Sequence, residues 1–169
     1  MSEAGSSGRS ISLRPINADD SSLLLEIYRS TRAEELALVS WWTEEQKNAF
    51  VQMQSDAQHS HYRNTFPQAE YLVVQVDTRA VGRLYLAELE SELRILDLTL
   101  MPHERNAGVG SYLLERLIEE SKSKRKPLSI HVESFSPAID LLERLGFKKV
   151  GENGIYFLME HASEQLLTA

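Results

Sequence analysis

Cysteine is absent from the 169-residue chain. That excludes a disulfide framework, zinc–thiolate sites and a cysteine nucleophile. Any group transfer must proceed without a cysteinyl intermediate, and a chain without cysteine is compatible with a cytoplasmic location. Long apolar runs are also missing: none approaches the roughly 18 residues that a membrane-spanning helix needs, so no membrane partner is expected. The opening Met1-Ser2-Glu3-Ala4-Gly5-Ser6-Ser7-Gly8 has neither a basic stretch nor an apolar one, so it does not read as a signal peptide. Its Gly/Ser content predicts a flexible leader over 1–10. A basic surplus is lacking too. The formal net charge is -7, which argues against a nucleic-acid partner and favours cationic ligands by steering. The one basic run, Lys122-Ser123-Lys124-Arg125-Lys126, suits the C-terminal end of a helix.

What is present is ordinary for one globular domain: 42% hydrophobic and 25% charged residues. Residues 11–15 alternate as a strand closed by Pro15. Asn17 to Asp20 offer N-cap groups, and Leu23, Leu24, Ile27 and Tyr28 recur at helical spacing over about 20–31. Residues 32–42 give no clear period and end at Trp41-Trp42. Thr43-Glu44-Glu45-Gln46 is a capping box, which predicts a helix to about 60 with Phe50, Met53 and Ala57 on its apolar face. Three strand-like runs follow over 71–76, 80–88 and 93–100. Their short connections imply an antiparallel meander. A helix stripe at Leu113, Leu114, Leu117 and Ile118 stops at Lys126-Pro127. Then come a strand over 128–132, a helix opened by Ser136-Pro137 and closed by Gly146, and a final strand or bent hairpin around Glu152-Asn153-Gly154. The order β-α-α-β-β-β-α-β-α-β predicts one mixed α/β domain over 11–160 with a polar tail over 161–169.

Chemistry concentrates between Leu98 and Glu120, where a strand ends, a loop carrying Gly108 and Gly110 follows, and a helix begins. The first amides of such a helix have no intrahelical partners and converge with the positive end of its dipole, which suits a phosphate or diphosphate. Glycines let that ligand approach without a Cβ in the way, and Arg105 can add a charge-assisted bond. A Walker loop needs Gly-Lys-Ser/Thr, which is absent. A dinucleotide fingerprint needs a glycine where Leu113 stands.

Arg105-x-x-Gly108-x-Gly110, after a strand and before a helix, resembles the coenzyme A signature of the GNAT acetyltransferase superfamily. Leu98-Thr99-Leu100-Met101-Pro102 resembles the family's pantetheine-binding strand. The segment from Ser136-Pro137-Ala138 to Leu145-Gly146-Phe147 resembles its late helix, and the element order agrees over about 11–160. The resemblance implies a mostly antiparallel twisted sheet with a V-shaped splay, flanked by about four helices. It implies acetyl-CoA as co-substrate, with cofactor contacts from Leu98, Thr99, Leu100, Arg105, Asn106, Ala107, Gly108, Val109, Gly110 and Ser111. A homodimer is a family-level expectation.

The activity so implied is acetyl transfer to a primary amine of a small molecule or peptide by direct attack on the thioester. The alternative is a non-catalytic acyl-CoA-binding or sensing module. Two departures bear on that choice: the tyrosine that the family often places on the late helix is Leu142, and its asparagine near the start of that helix is replaced by Phe135 and Ser136. Catalytic candidates are therefore Asp97, read as alternating with Ile95 and Thr99 in a central strand, Tyr156 on the last strand, and Ser136, which is either a cofactor contact or an N-cap. Glu90, Glu92 and Glu133 are weaker candidates for the base. The family's acceptor pocket involves the first two helices and their connection, where Arg32, Glu34, Glu35, Trp41 and Trp42 stand. His59-x-His61 alone is too few ligands to imply a metal, and no metal is expected.

Overall fold

A computed structural model describes residues 3–4, 9–105 and 107–162. Asn106, the other leader residues and 163–169 lie outside the described residues. The elements are β1 (Glu3–Ala4), β2 (Ser10–Pro15), α1 (Ser21–Ser30), α2 (Ala33–Ala37), α3 (Glu44–Thr65), β3 (Glu70–Val76), β4 (Arg79–Glu88) and β5 (Leu93–Leu100). They continue with α4 (Val109–Lys124), β6 (Leu128–Glu133), α5 (Ala138–Arg144), β7 (Lys148–Asn153) and β8 (Tyr156–His161). The predicted order holds, with three additions. The leader contributes β1, which pairs with β2. The unreadable 32–42 stretch contains the short α2, so the helices number five. The final segment is a hairpin turning at Gly154 (φ 62°).

All strands form one sheet in the order β1-β2-β3-β4-β5-β6-β8-β7. β2 to β5 are an antiparallel meander. The β3–β4 turn is Asp77-Thr78, both at positive φ (49° and 71°), as a two-residue hairpin of type I′ demands. α4 then crosses over, so β6 runs parallel to β5. The capping box at Thr43 forms as predicted: Gln46 N donates to Thr43 Oγ1 at 3.1 Å and Thr43 N to Gln46 Oε1 at 2.9 Å.

The two sheet faces differ. On one, Leu84, Leu86, Ile95, Leu128 and Met159 pack against Leu113, Leu114, Leu117 and Ile118 of α4 and Leu142 of α5 as the main core. The other face is covered by α1 and α3, where Tyr28, Leu36 and Val51 make a small separate cluster. The apolar stripe predicted for α3 is not the one it buries. Met53 is 62% exposed and Ala57 is exposed, whereas Val51, Gln54, Gln58 and Tyr62 point inward. The buried stripe is polar because it meets charged and phenolic groups of β4 and β5 rather than aliphatic ones.

The meander is anchored at its start by Arg14, whose guanidinium donates to both oxygens of Asp20 at 2.9 and 2.8 Å. These bonds, aided by the Asn17 amide, hold the Asp20 carboxyl down at about 2. A depressed native value stabilises the fold above the unfolded pKa of about 3.9. The stability gap between the wild type and Asp20→Asn, measured by urea unfolding, is therefore expected to stay constant from about pH 7 to 5 and to shrink from about pH 4 towards 2.

A second expectation concerns the closest approach of β4 to β5. A Cβ added at Gly82 would lie 2.3 Å from the Thr99 carbonyl oxygen, a backbone atom that cannot swing aside. Gly82→Ala is expected to cost about 1–3 kcal/mol through overpacking, seen as a lower urea midpoint with an unchanged slope.

Candidate active site

The site begins with one extra residue in β5. Tyr85 pairs with Asp97 and Leu86 with Ile95, so Leu96 has no partner on β4 and forms a β-bulge. A bulge reverses the alternation beyond it. Asp97 therefore shares a face with Thr99, Arg83 and Tyr85, but not with Ile95, which points into the main core. This corrects the alternation read from the sequence, where no residue type marks the bulge.

At the same point β5 leaves β6. The parallel pairs are Leu93 with Leu128, Arg94 with Ser129 and Ile95 with Ile130; beyond them β6 pairs only with β8. The two strands diverge in a V, as expected, and a cleft of about 960 Å³ opens between Leu96–Leu100 and Ile130–Glu133. The Leu96 carbonyl at the bulge accepts a hydrogen bond from the Tyr62 hydroxyl at 3.0 Å. Burial pushes the Tyr62 phenol up to about 12, with the neighbouring Asp97 charge adding to the effect, so Tyr62 keeps its proton.

One wall of the cleft is on the α4/α5 side. Gly108 sits at φ 85° as the N-cap of α4, a left-handed position that favours glycine. Its carbonyl accepts from Tyr112 N at 3.0 Å. Among the described residues no side chain caps this end, and the first-turn amides up to Ser111 have no intrahelical acceptor. Gly110 is different: a Cβ there would have only Leu100 Cδ1 nearby, at 3.8 Å, so the chain itself does not require glycine. Leu98, Thr99, Leu100, Arg105, Gly108, Gly110 and Ser111 all line the cleft, and Arg105 Nε donates to the Leu100 carbonyl at 3.2 Å. Ala107 is exposed beside them, and Val109 turns its side chain into the core. Ser136 lines the same wall while its Oγ accepts from Ala138 N at 3.2 Å, capping α5. Leu142 is 2% exposed and belongs to the core.

The other wall is polar and comes from α1, α3, β4 and β8. Arg83 donates to Asp97 Oδ2 at 2.7 Å and to Gln58 Oε1 at 3.0 Å, and Thr99 Oγ1 donates to Asp97 Oδ1 at 2.5 Å. Both Asp97 oxygens are thus engaged, in an ion pair whose side chains are 4% and 11% exposed. Arg32 lines this wall while bonded to Tyr28 Oη at 3.2 Å and Glu35 Oε1 at 3.0 Å. Tyr156 reaches the cleft, as do His131 and Glu133. Burial and the Arg94 cation hold His131 below the ordinary imidazole value.

Of the five residues expected at the acceptor pocket, only Arg32 lines the cleft wall. Trp41 is 74% exposed, Trp42 packs edge-on against Phe50 at 5.5 Å, Glu34 is exposed, and Glu35 reaches the site only through Arg32. Tyr28 and Thr31 line it beside Arg32. Tyr28, Gln58, Tyr62 and Arg83 escaped sequence reasoning. The polar period of Gln54, Gln58 and Tyr62 along α3 is the signal that finds two of them. Among the described residues, no group of three or more His, Asp or Glu side chains could hold a metal ion, and no helix is long and apolar enough to cross a membrane.

A strand-parted sheet beside an uncapped helix that follows a glycine loop defines an acyltransferase-like architecture, and comparison with known proteins makes this specific. The sequence profile of the Acetyltransferase (GNAT) family matches residues 33–147. The chain belongs to that family. No curated protein sequence matches it. Among solved structures it is similar to the PaiA N-acetyltransferase from Thermoplasma acidophilum in complex with coenzyme A, at 20% identity and a TM-score of 0.67, covering 90% of this chain and 99% of that one. An acetyltransferase from Thermus thermophilus is 18% identical with a TM-score of 0.63, covering 89% and 96%. A GNAT family acetyltransferase from Elizabethkingia anophelis with acetyl-CoA bound is 17% identical with a TM-score of 0.55, covering 90% and 97%. At such identities the likeness speaks for the fold.

The buried pair generates a prediction. Asp97→Asn leaves the Arg83 cation without its counter-charge, which is expected to cost about 3–5 kcal/mol of stability, read from urea unfolding. Asp97→Asn combined with Arg83→Met should recover most of that loss.

Proposed function

We propose that the protein transfers an acetyl group from acetyl-CoA to a primary amine by direct attack. The observation that carries this reading is the meeting, in one cleft, of the parted β5 edge and the uncapped N-terminus of α4 behind Gly108. Amides from residues 106–111 would receive the diphosphate, helped by Arg105. The backbone of Leu98, Thr99 and Leu100 would pair with the pantetheine amides as an added strand does. Gly110, which its own chain does not need, leaves room for that approach. The solved relatives that carry coenzyme A or acetyl-CoA support the choice of cofactor.

In this reaction the ammonium first loses a proton to water in the cleft. The free amine then attacks the thioester carbonyl carbon. A C–N bond forms and the C–S bond breaks. The sulfur leaves with the bonding pair and takes up a proton, while the second excess proton on nitrogen passes to water. Asp97, held on both oxygens, orients Arg83 and Thr99 rather than accepting the proton. Tyr156, which is 44% exposed on the cleft, is the phenol assigned to protonate the sulfur. Ser136 keeps its N-cap role.

One observation favours a second reading, a non-catalytic acyl-CoA sensor: the burial of Leu142 where the family often has a tyrosine. Calorimetry with acetyl-CoA and a thiol-release assay with an amine panel separate the two. The enzyme shows saturable binding and amine-dependent thiol release; a sensor shows binding alone. Gly108→Glu places bulk and negative charge where the diphosphate would sit and is expected to abolish binding in a folded protein. Unchanged affinity would refute the site.

A further inference from the structure

Charge on the acceptor side of the cleft is nearly all neutralised within the chain. Arg83 and Asp97 cancel each other at 2.7 Å, and Arg32 is matched by Glu35 at 3.0 Å. His131, held below its usual range by burial and by Arg94, is neutral near pH 7 and adds no cation. One charged group on this wall is left over. Glu133 is half-buried at the end of β6, opposite Tyr156 of β8, and lines the cleft with no hydrogen-bond or ion-pair partner among the described residues. It lies on the stretch of β6 that has parted from β5, on the sheet face shared with Asp97. A half-buried carboxylate without a counter-ion carries a desolvation cost that a cationic ligand would offset.

Beyond Glu133 the surroundings turn apolar. The Ser134 amide donates to the Ile155 carbonyl at 2.7 Å, tying the β6–α5 loop to the β7–β8 turn. The residues next to that bond, Phe135 and Ile155, are 70% and 55% exposed, and Tyr156 is 44% exposed. Phe135 and Ile155 adjoin the cleft-lining Ser136 and Tyr156 in the chain, and the Ser134–Ile155 bond brings their two loops together, which puts exposed apolar residues beside the cleft.

We propose that Glu133 is the anchor for the acceptor's ammonium group, and that the acceptor is a primary amine with a single cation on an apolar body, which the Phe135–Ile155–Tyr156 rim receives. A polyamine fits less well, because its further cations would meet that apolar rim rather than a second free carboxylate. Among the carboxylates lining the cleft, Asp97 is paired and Asp140 lies on the α5 wall. The proposal rests on the acetyl-transfer reading above and adds to it the group that selects the substrate.

The test is steady-state kinetics with acetyl-CoA and three kinds of acceptor: phenethylamine, straight-chain alkylamines of graded length, and spermidine. The wild type is expected to favour phenethylamine or the longer alkylamines over spermidine at least tenfold in kcat/KM. Glu133→Gln is expected to raise the KM for the preferred amine at least tenfold and leave the KM for acetyl-CoA unchanged. Glu133→Asp, which keeps the charge, should recover part of the loss. A merely structural role would not divide the two KM values in this way. An acceptor KM for Glu133→Gln within twofold of the wild type, or a preference for spermidine, overturns the proposal while leaving acetyl transfer standing. A wild type that binds acetyl-CoA but turns over none of these amines overturns both.

Discussion

The parting of β5 from β6 after Ile95 and Ile130 is the constraint on which the rest depends. A continuous parallel pairing would satisfy more backbone groups, so the separation needs a cause. The bulge at Leu96 supplies it by adding one residue to β5 and bending the strand. The Tyr62 hydroxyl then accounts for the bulge carbonyl from across the sheet, answering the usual objection to burying an unpaired backbone acceptor. Once the strands diverge, a single cleft crosses the sheet and joins its two faces. The face with α4 and α5 supplies amides and glycines, and the face with α1 and α3 supplies phenols and charges. The proposed reaction between a phosphate-bearing donor and a cationic acceptor would use such a division, with one partner on each side.

This arrangement has a cost in stability, and its location is informative. The main core lies on the α4/α5 face, where apolar side chains interlock without interruption. On the opposite face the inner stripe of α3 is polar, and Gln54 Oε1 and Arg83 Nε are buried without a partner among the described residues. A protein selected only for stability would place leucines at Gln54 and Gln58, since a buried ion pair is often no better than well-packed apolar groups of similar volume. The polar set persists where it clasps β4 and β5 beside the bulge. Gln58 and Tyr62, one helical turn apart, hold Arg83 and the Leu96 carbonyl respectively. Destabilising polar groups concentrated at a cleft are the usual mark of a site that has traded packing for function.

Most of the fold was legible because its signals are local. The Thr43 capping box, the Leu113–Ile118 stripe, the strand lengths and the glycine loop each lie within a few residues, and each forms as the sequence suggests. What escaped depends on partners distant in the chain. The bulge at Leu96 is a register event between two strands and leaves no compositional trace, so Asp97 was assigned to the face of Ile95. The stripe of α3 was misread because apolar residues were taken to mark the buried side, a rule that fails where the surface being covered is itself polar. Trp41 and Trp42 drew attention by size, yet one is solvated and the other serves a satellite contact with Phe50. The glycine-loop wall of the cleft is therefore readable and the polar wall is not, because backbone amides and glycines announce themselves in sequence while a wall assembled from α1, α3, β4 and β8 does not.

Leu142 carries this asymmetry into the chemistry. Leu142 of α5 is 2% exposed and packs in the core, where it also lines the cleft. It stands at the cleft wall, but leucine has no proton to give. On the proposed reading a proton donor comes from the polar wall, where Tyr28, Tyr62 and Tyr156 are the phenols. Tyr28 is 3% exposed and accepts from Arg32. Tyr62 spends its proton on the Leu96 carbonyl, and its pKa of about 12 makes it a poor acid. Tyr156 remains, on the strand that pairs with Glu133. The same short stretch of β6 and β8 would thus serve both ends of the reaction: a carboxylate for the incoming cation and a phenol for the leaving group. Losing the helix-borne tyrosine would then shift the proton chemistry from α5 to the sheet rather than abolish it.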